Sequence, residues 1–412
     1  MESIGASAFE ECSGFTGSLT LPDSLTSIGD SAFYDCWNFS GSLTLPSTLT
    51  SIGNYVFGSC YGFTGSLTLP STITSIGAFA FEDCNFTGSL MLPSTLEFIG
   101  FEAFFRCDNF TGTLTLPNSL TSIENSAFEF CTGFTGSLTL PNSLTSIGRS
   151  AFESCSGFTG TLTLPSTLTS IENFVFKSCS GFTGNLTLPS SLTSIGVAAF
   201  SGCSGFTGSL TLPSTLTSIK NSAFASCSGF TGSLTLPDLL TSIENETFIG
   251  CSGFTGSLTL PSTLTSIDEY AFENCTGLTS VTANMTTPPS ISIDVFDGVY
   301  ANSDLFVPVS SVGLYEAATG WKDFNNIYTL GIDDIALIKS LILYPNPAKD
   351  KVIVSLNLDA TYRLVNIFGQ EIQKGVLISG NNTLEISNLS KGLYILNVKT
   401  SQGTSTKKII KQ

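Results

Sequence analysis

Twelve cysteines stand at Cys12, Cys36, Cys60, Cys84, Cys107, Cys131, Cys155, Cys179, Cys203, Cys227, Cys251 and Cys275, and every interval is 24 residues except the 23 that follow Cys84. So strict a period over most of a 412-residue chain points to a solenoid, a stack of equivalent coils in which each coil touches only its neighbours. One coil cannot stand alone. About six inward apolar side chains contribute roughly 1.5 to 3 kcal/mol each on burial, whereas ordering 24 backbones costs about 1 to 2 kcal/mol apiece. Adjacent coils must therefore share both burial and backbone hydrogen bonds.

The phrase "GFTGSLTLPSTLTSIKNSAFASC" from Gly205 to Cys227 shows how a coil is spelled. Phe206, Gly208, Leu210 and Leu212 fall on one side of an extended segment and Thr207, Ser209 and Thr211 on the other. That is the alternation of a half-buried strand, stopped by Pro213. Leu216 and Ile219 then supply a second short apolar contact. Ala223, Phe224 and Cys227 follow at helical or 3-10 spacing. The expected fold class is a β-rich solenoid of 24-residue coils with a parallel sheet along one side and short helical or 3-10 turns, followed by a small antiparallel β-sandwich.

The consensus "LPSTLTSIGxxAFxxCxxFxxxLxLP" resembles the BspA-like leucine-rich repeat over residues 1 to about 300. The resemblance implies a curved leucine-rich-repeat solenoid and a surface or secreted protein, often an adhesive one. This chain departs from the family pattern by a "TG" inserted before the strand. The expected organisation is repeats over 1–280, in 11 to 12 coils beginning midway through a coil, a solenoid cap over 281–330, a linker at 331–340 and a separate domain over 341–412. The cap expectation rests on "LFVPVSSVGLYEAATGWKDFNNI", with Ser310 or Ser311 as a helix cap, a helical stretch to Ala318, Gly320 as terminator and Trp321 as part of a lid.

The last 70 or so residues change character, to β-branched runs parted by turn residues. Tyr344, Pro345, Asn346 and Pro347 in "LYPNPAKDKV", Phe368 and Gly369 in "VNIFGQEI", Gly392, Leu393 and Tyr394 in "SKGLYILNV", and Lys407, Lys408 and Lys411 in "KKIIKQ" together resemble the type A sorting domain of type IX secretion. That resemblance implies the type IX machinery as a partner and a tail removed after export, the cut region being placed at Gly331 to Ser340. It also implies an extracellular or outer-membrane-surface location. The opening "MESIGASAFEECSG" has neither the basic start nor the apolar stretch of a signal peptide, so a signal peptide is expected upstream of Met1. No apolar run approaches the ~20 residues of a membrane-spanning helix.

Residues 1–275 carry four basic side chains (Arg106, Arg149, Lys177, Lys220) against 21 acidic ones, while residues 276–412 carry eleven of each. All the net acidity belongs to the repeats, and a surface of that sign repels nucleic acid and anionic membrane. The chain has no histidine, which removes the usual general base and the commonest metal ligand. There is no CxxC pair and no GxGxxG, GxxxxGK[ST] or GxSxG motif. The adjacent carboxylates Glu10 with Glu11, Glu82 with Asp83 and Asp268 with Glu269 recur in no fixed place, and read as a solvated face. No catalytic residue, metal or cofactor is implied. The cysteines have two readings, disulfides between neighbouring coils or a ladder of buried thiols. Side chains stacked in parallel do not aim at one another as the disulfide torsion requires, which favours thiols.

The candidate binding residues are the repeated hydroxyls Thr111, Thr113 and Thr115, Thr135, Ser137 and Thr139, Thr159, Thr161 and Thr163, and Thr207, Ser209 and Thr211. Stacked coils would set them about 4.8 Å apart between coils and about 6.6 Å apart along each strand. Thr also simply suits strands. Two functions follow. One is a non-catalytic surface interaction or adhesion protein for a protein or glycan ligand. The alternative is a lattice or polysaccharide binder, ice included, that uses the hydroxyl rows.

Overall fold

The computed structural model describes residues 1–330, 341–356, 358–366, 370–400 and 403–412. The chain divides into two compact units, Met1–Leu305 with Ala317–Asn326, and Phe306–Glu316 with Ile327–Gln412. The segment 281–330, expected to act as one cap, is shared between them. The expected linker at 331–340 lies outside the described residues.

The first unit is the solenoid. Its coils are joined by two parallel ladders rather than by a sheet on one side only. In one, Ser-Ile pairs align in register, as in Ser122 with Ser146 and Ile123 with Ile147. In the other, Leu138 and Thr139 align with Leu162 and Thr163. Most of these strands are only two residues long, far shorter than "FTGSLTLP". The reason is local: Gly136, Gly208 and several equivalents are left-handed, at φ near +75°, which ends the pleat on one side, and proline ends it on the other.

The "AFxxC" segment also differs from expectation. Its 3-10-type bonds are present, with the Ala225 N–H donating to the Ser222 carbonyl at 3.0 Å and Cys227 to Phe224 at 3.2 Å. No run of helix forms, however, because left-handed residues interrupt it at Ser222 (φ 56°) and Ser226 (φ 58°). Those residues turn alternate N–H groups toward the next coil, Ser222 to Asn245, Phe224 to Thr247 and Ser226 to Ile249, at 2.7 to 2.9 Å. Backbone donors are thus used between coils rather than along one helix.

Two columns of phenylalanine fill the core. Phe128 stacks on Phe152 at 5.4 Å and 7°, and Phe158 on Phe182 at 5.3 Å and 3°. Across the columns Phe128 meets Phe134 edge to face at 6.3 Å. The glycine of "SGF" permits this approach, since a Cβ on Gly205 would lie 2.4 Å from the carbonyl oxygens of Phe182 and Ser180. At the C-terminal end Phe296 stacks on Phe272. It is covered in turn by Phe324 and by Trp321, whose indole N–H donates to the Pro289 carbonyl at 2.8 Å. The only regular α-helix among the described residues is Val312–Ala317, shorter than the expected stretch.

The repeated hydroxyls of "PSTLTSI" tie coils together. Thr215 donates to the Leu192 carbonyl at 2.6 Å, and Thr217 to the Thr193 carbonyl at 3.1 Å. The first of these bonds recurs from Thr48 to Thr263, with Ser standing in at Ser119, Ser143 and Ser191. It lapses where Leu239 takes the position.

All twelve cysteines are free thiols. From Cys36 onward each donates to a phenylalanine carbonyl of a neighbouring coil, as Cys155 does to Phe128 at 3.0 Å and Cys227 to Phe200 at 3.1 Å. Burial pushes these thiols up, Cys36 to about 11 and the interior ones further. They are therefore protonated and unreactive at neutral pH. A thiol reagent added to the native protein without reductant is expected to label the half-buried Cys12 alone, and all twelve cysteines after denaturation. A count well below twelve in denaturant would restore the disulfide reading.

The second unit holds the expected sandwich. Strands Ile342–Tyr344, Lys351–Leu356 and Gly380–Glu385 form one antiparallel sheet. Strands Glu371–Leu377, Ala360–Asn366, Gly392–Thr400 and Gly403–Lys411 form the other. Val352, Val354, Leu364, Leu384, Leu396, Val398 and Ile409 belong to their common core.

Candidate interaction surfaces

The twelve candidate hydroxyl residues, Thr111 through Thr211, all lie at the surface, and the intervening leucines are buried or nearly so. The alternation read from sequence is therefore the one the coils adopt. Three of the twelve, Ser137, Thr159 and Thr161, are already engaged with neighbouring coils. Ser137 Oγ accepts from the Thr161 N–H at 3.0 Å and from the Thr161 hydroxyl at 3.2 Å. The Gly136 N–H donates to Thr159 Oγ1 at 3.2 Å. The array is also uneven. Thr187 bridges Thr211 and Thr235 pairs with Thr259, but among the described residues no bridge joins Thr211 to Thr235. A shallow groove of about 400 Å³, lined by Ser209, Thr211, Ser233 and Thr235, lies there, and a similar one of about 350 Å³, lined by Thr187, Ser209 and Thr211, lies at the bridged pair before it.

A second surface runs along the left-handed turns, and sequence reading caught only its acidity. Tyr34, Tyr55, Phe79 and Phe101 form a continuous run over four successive coils. Tyr34 meets Tyr55 edge to face at 5.6 Å, Tyr55 stacks on Phe79 at 4.4 Å and 12°, and Phe79 meets Phe101 edge to face at 5.0 Å. Farther along, Phe105 contacts Phe130 at 5.8 Å with the Arg106 guanidinium over both rings. Arg149 and Lys177 lie over Phe174 at 4.9 and 5.2 Å, and Lys177 pairs with Glu153 at 2.8 Å. Aromatic residues at the drifting positions of "xxAFxx" were the available signal. They were unreadable as a surface because their φ, and hence their direction, is set by the coil.

Glu82 and Asp83 are part of this surface and are half-buried, so the pair is not simply solvated. Burial first, then Asp83 and Glu102, push the Glu82 carboxyl up to about 7, with Arg106 opposing. Burial likewise raises Glu102, with Glu129 and Asp83 adding to it. Among the described residues no group of acidic or sulfur ligands is placed to hold a metal. A carboxyl raised on folding stabilises the fold below its unfolded pKa and loses that contribution as pH rises through its folded one. Melting temperature is therefore expected to fall as pH rises from about 5 through 7 to about 8. Glu82→Gln should raise the melting temperature at about pH 8 and reduce that dependence.

In the sandwich the structure brings most of the C-terminal motifs together. Tyr344, Pro345, Asn346 and Pro347 are exposed, with cis peptide bonds before both prolines. Asn346 donates to the Lys408 carbonyl at 2.6 Å and accepts from the Ile410 N–H at 2.9 Å. Gly392, Leu393 and Tyr394 pair directly with Lys411, Ile410 and Ile409, and Lys407 with Leu396. Tyr394 is buried with its hydroxyl on the Ser390 carbonyl at 3.0 Å. Phe368 and Gly369 lie outside the described residues. Asn346→Leu removes two bonds to one strand and is expected to cost the sandwich about 1 to 2 kcal/mol, read as an earlier unfolding transition of the full chain.

A family model described as the BspA type leucine rich repeat region matches residues 1–111, 111–231 and 202–312, in six copies. The chain belongs to this BspA-type family. A second model, the secretion system C-terminal sorting domain, matches residues 342–412. This BspA-type chain is thus a secreted leucine-rich-repeat surface protein carrying its own sorting domain. Among solved structures it is similar to a leucine rich cell surface protein from Faecalibacterium prausnitzii A2-165, at 24% identity over 69% of each chain with a TM-score of 0.35. It is also similar to a T. pallidum leucine rich repeat protein, at 29% identity over 40% of this chain and 72% of that one, again with a TM-score of 0.35. No curated protein matches it. Among the described residues no helix is long and apolar enough to cross a membrane.

Proposed function

We propose that the protein is a non-catalytic interaction and adhesion protein, exported by the type IX secretion machinery through residues 342–412 and displayed outside the cell to engage a protein or glycan ligand. The observation that carries this reading is the contrast between faces of one coil. The core, the thiol ladder and the hydroxyl bonds repeat nearly unchanged, while the turn face varies and gathers half-buried and exposed aromatic rings beside carboxylates. Exposed aromatics on a rigid scaffold are what recognition surfaces use.

The hydroxyl rows support the second reading, binding to a lattice or polysaccharide, through their uniform exposure. Their internal hydrogen bonds and the break between Thr211 and Thr235 favour the first. Full-length protein on glycan and extracellular-protein arrays should show saturable binding that survives Thr135→Tyr, Thr159→Tyr and Thr207→Tyr. Silence on both arrays would remove the adhesion reading. Loss of binding in the tyrosine variants, or thermal hysteresis in wild type, would transfer the function to the hydroxyl rows.

A further inference from the structure

Five of the residues held at positive φ are aromatic: Tyr55, Phe79, Phe130, Phe174 and Tyr270. The left-handed conformation costs a bulky L-residue about 1 to 2 kcal/mol. Other coils use Ser31, Ser126, Ser150 and Ser222 at the position of Tyr55, Phe79, Phe174 and Tyr270, and Ser154, Ser178 and Ser226 at the position of Phe130, so the backbone does not need a ring there. Nor do the rings gain full burial, since Phe130 remains 38% exposed, and Phe101 beside Phe79 39%.

The molecule shows what these rings accept. Three of the four basic side chains of residues 1–275 lie on them, Arg106 over Phe105 and Phe130, Arg149 and Lys177 over Phe174. In the last case the Glu153 carboxylate completes the arrangement at 2.8 Å from Lys177. The fourth, Lys220, pairs with Glu244. The same combination of rings and carboxylates occurs between Tyr34 and Glu102, where residues 1–105 contain neither Lys nor Arg against ten acidic side chains. Arg106 acts on Glu82 and Asp83 but lies over Phe105 and Phe130, and leaves Tyr34, Tyr55, Phe79 and Phe101 uncovered. Trp37 and Tyr61, both exposed, add further aromatic surface to those coils.

We infer that the turn face from Tyr34 to Glu102 is a docking surface for an arginine- and lysine-rich polypeptide segment, whose side chains take in trans the places that Arg106, Arg149 and Lys177 take in cis. The aliphatic stems lie along Tyr34, Tyr55, Phe79 and Phe101, and the charged heads reach Glu82, Asp83 and Glu102. The acidity of the surrounding coils speeds the encounter and makes it salt-sensitive. This inference rests on the adhesion reading and names the chemistry of its partner.

The test is fluorescence anisotropy of the full-length protein with a labelled peptide of about a dozen alternating arginine, lysine and glycine residues, compared with a neutral oligosaccharide series. Wild type should bind the peptide saturably. The variant Y55S/F79S, which installs the residue other coils already use, should weaken it at least about tenfold with an unchanged melting curve. E82Q/D83N/E102Q should weaken it and flatten its salt dependence, while T207Y changes nothing. Weakening by the charge variant alone would reduce the effect to general attraction of a polyanion and overturn the inference. So would an oligosaccharide that binds in the peptide's place and is lost in Y55S/F79S. Array ligands that bind Y55S/F79S as well as wild type would leave the adhesion reading standing and this inference fallen.

Discussion

Every coil depends on hydrogen bonds it cannot make by itself. The N–H groups of Ser222, Phe224 and Ser226 reach carbonyls of the following coil, and the hydroxyls of Thr215 and Thr217 reach carbonyls of the preceding one. A side chain on Gly205 would collide with the neighbouring backbone. Because the bonds run between coils, the spacing between coils is the constraint from which the phenylalanine columns, the thiol ladder and the short strands follow. Rings stacked 5.2 to 6.2 Å apart are the packing that such spacing permits.

This dependence explains why the chain repeats its spelling so faithfully. A hydroxyl lost at one position leaves a carbonyl of the coil before it without its partner, so the residues that bond to neighbours are held, as are the exposed strand hydroxyls, while the residues of the turn face drift. The thiols obey the same rule. Cys155 is held because a small, buried, weak donor fits under the Phe128 carbonyl.

The strain that shapes the turns also shapes the surface. Left-handed residues keep the "AF" side chains inward and set the direction of their own, which range from buried at Ser150 and Ala198 to exposed at Phe130 and Tyr270, so substitution at the exposed ones changes what the protein presents. Tyr55 and Phe79 pay a conformational cost for that position. The sandwich follows a different logic, in which Asn346, just beyond the edge strand Ile342–Tyr344 of one sheet, and the Gly392–Tyr394 segment of the other both bond to the closing strand Gly403–Lys411.

The 24-residue period, the inward set Phe206, Leu210 and Leu212, the outward set Thr207, Ser209 and Thr211, the buried thiols and the separate C-terminal sandwich were legible in the sequence. Each depends on periodicity and polarity, which a string of letters carries in full. The division into two ladders, the replacement of a helical turn by alternating left-handed residues, the internal engagement of the hydroxyls and the aromatic run from Tyr34 to Phe101 were decided only by the tertiary structure. Those features depend on which N–H faces the next coil and on rings that become neighbours only when residues some 24 positions apart are brought into contact, and no local pattern encodes either.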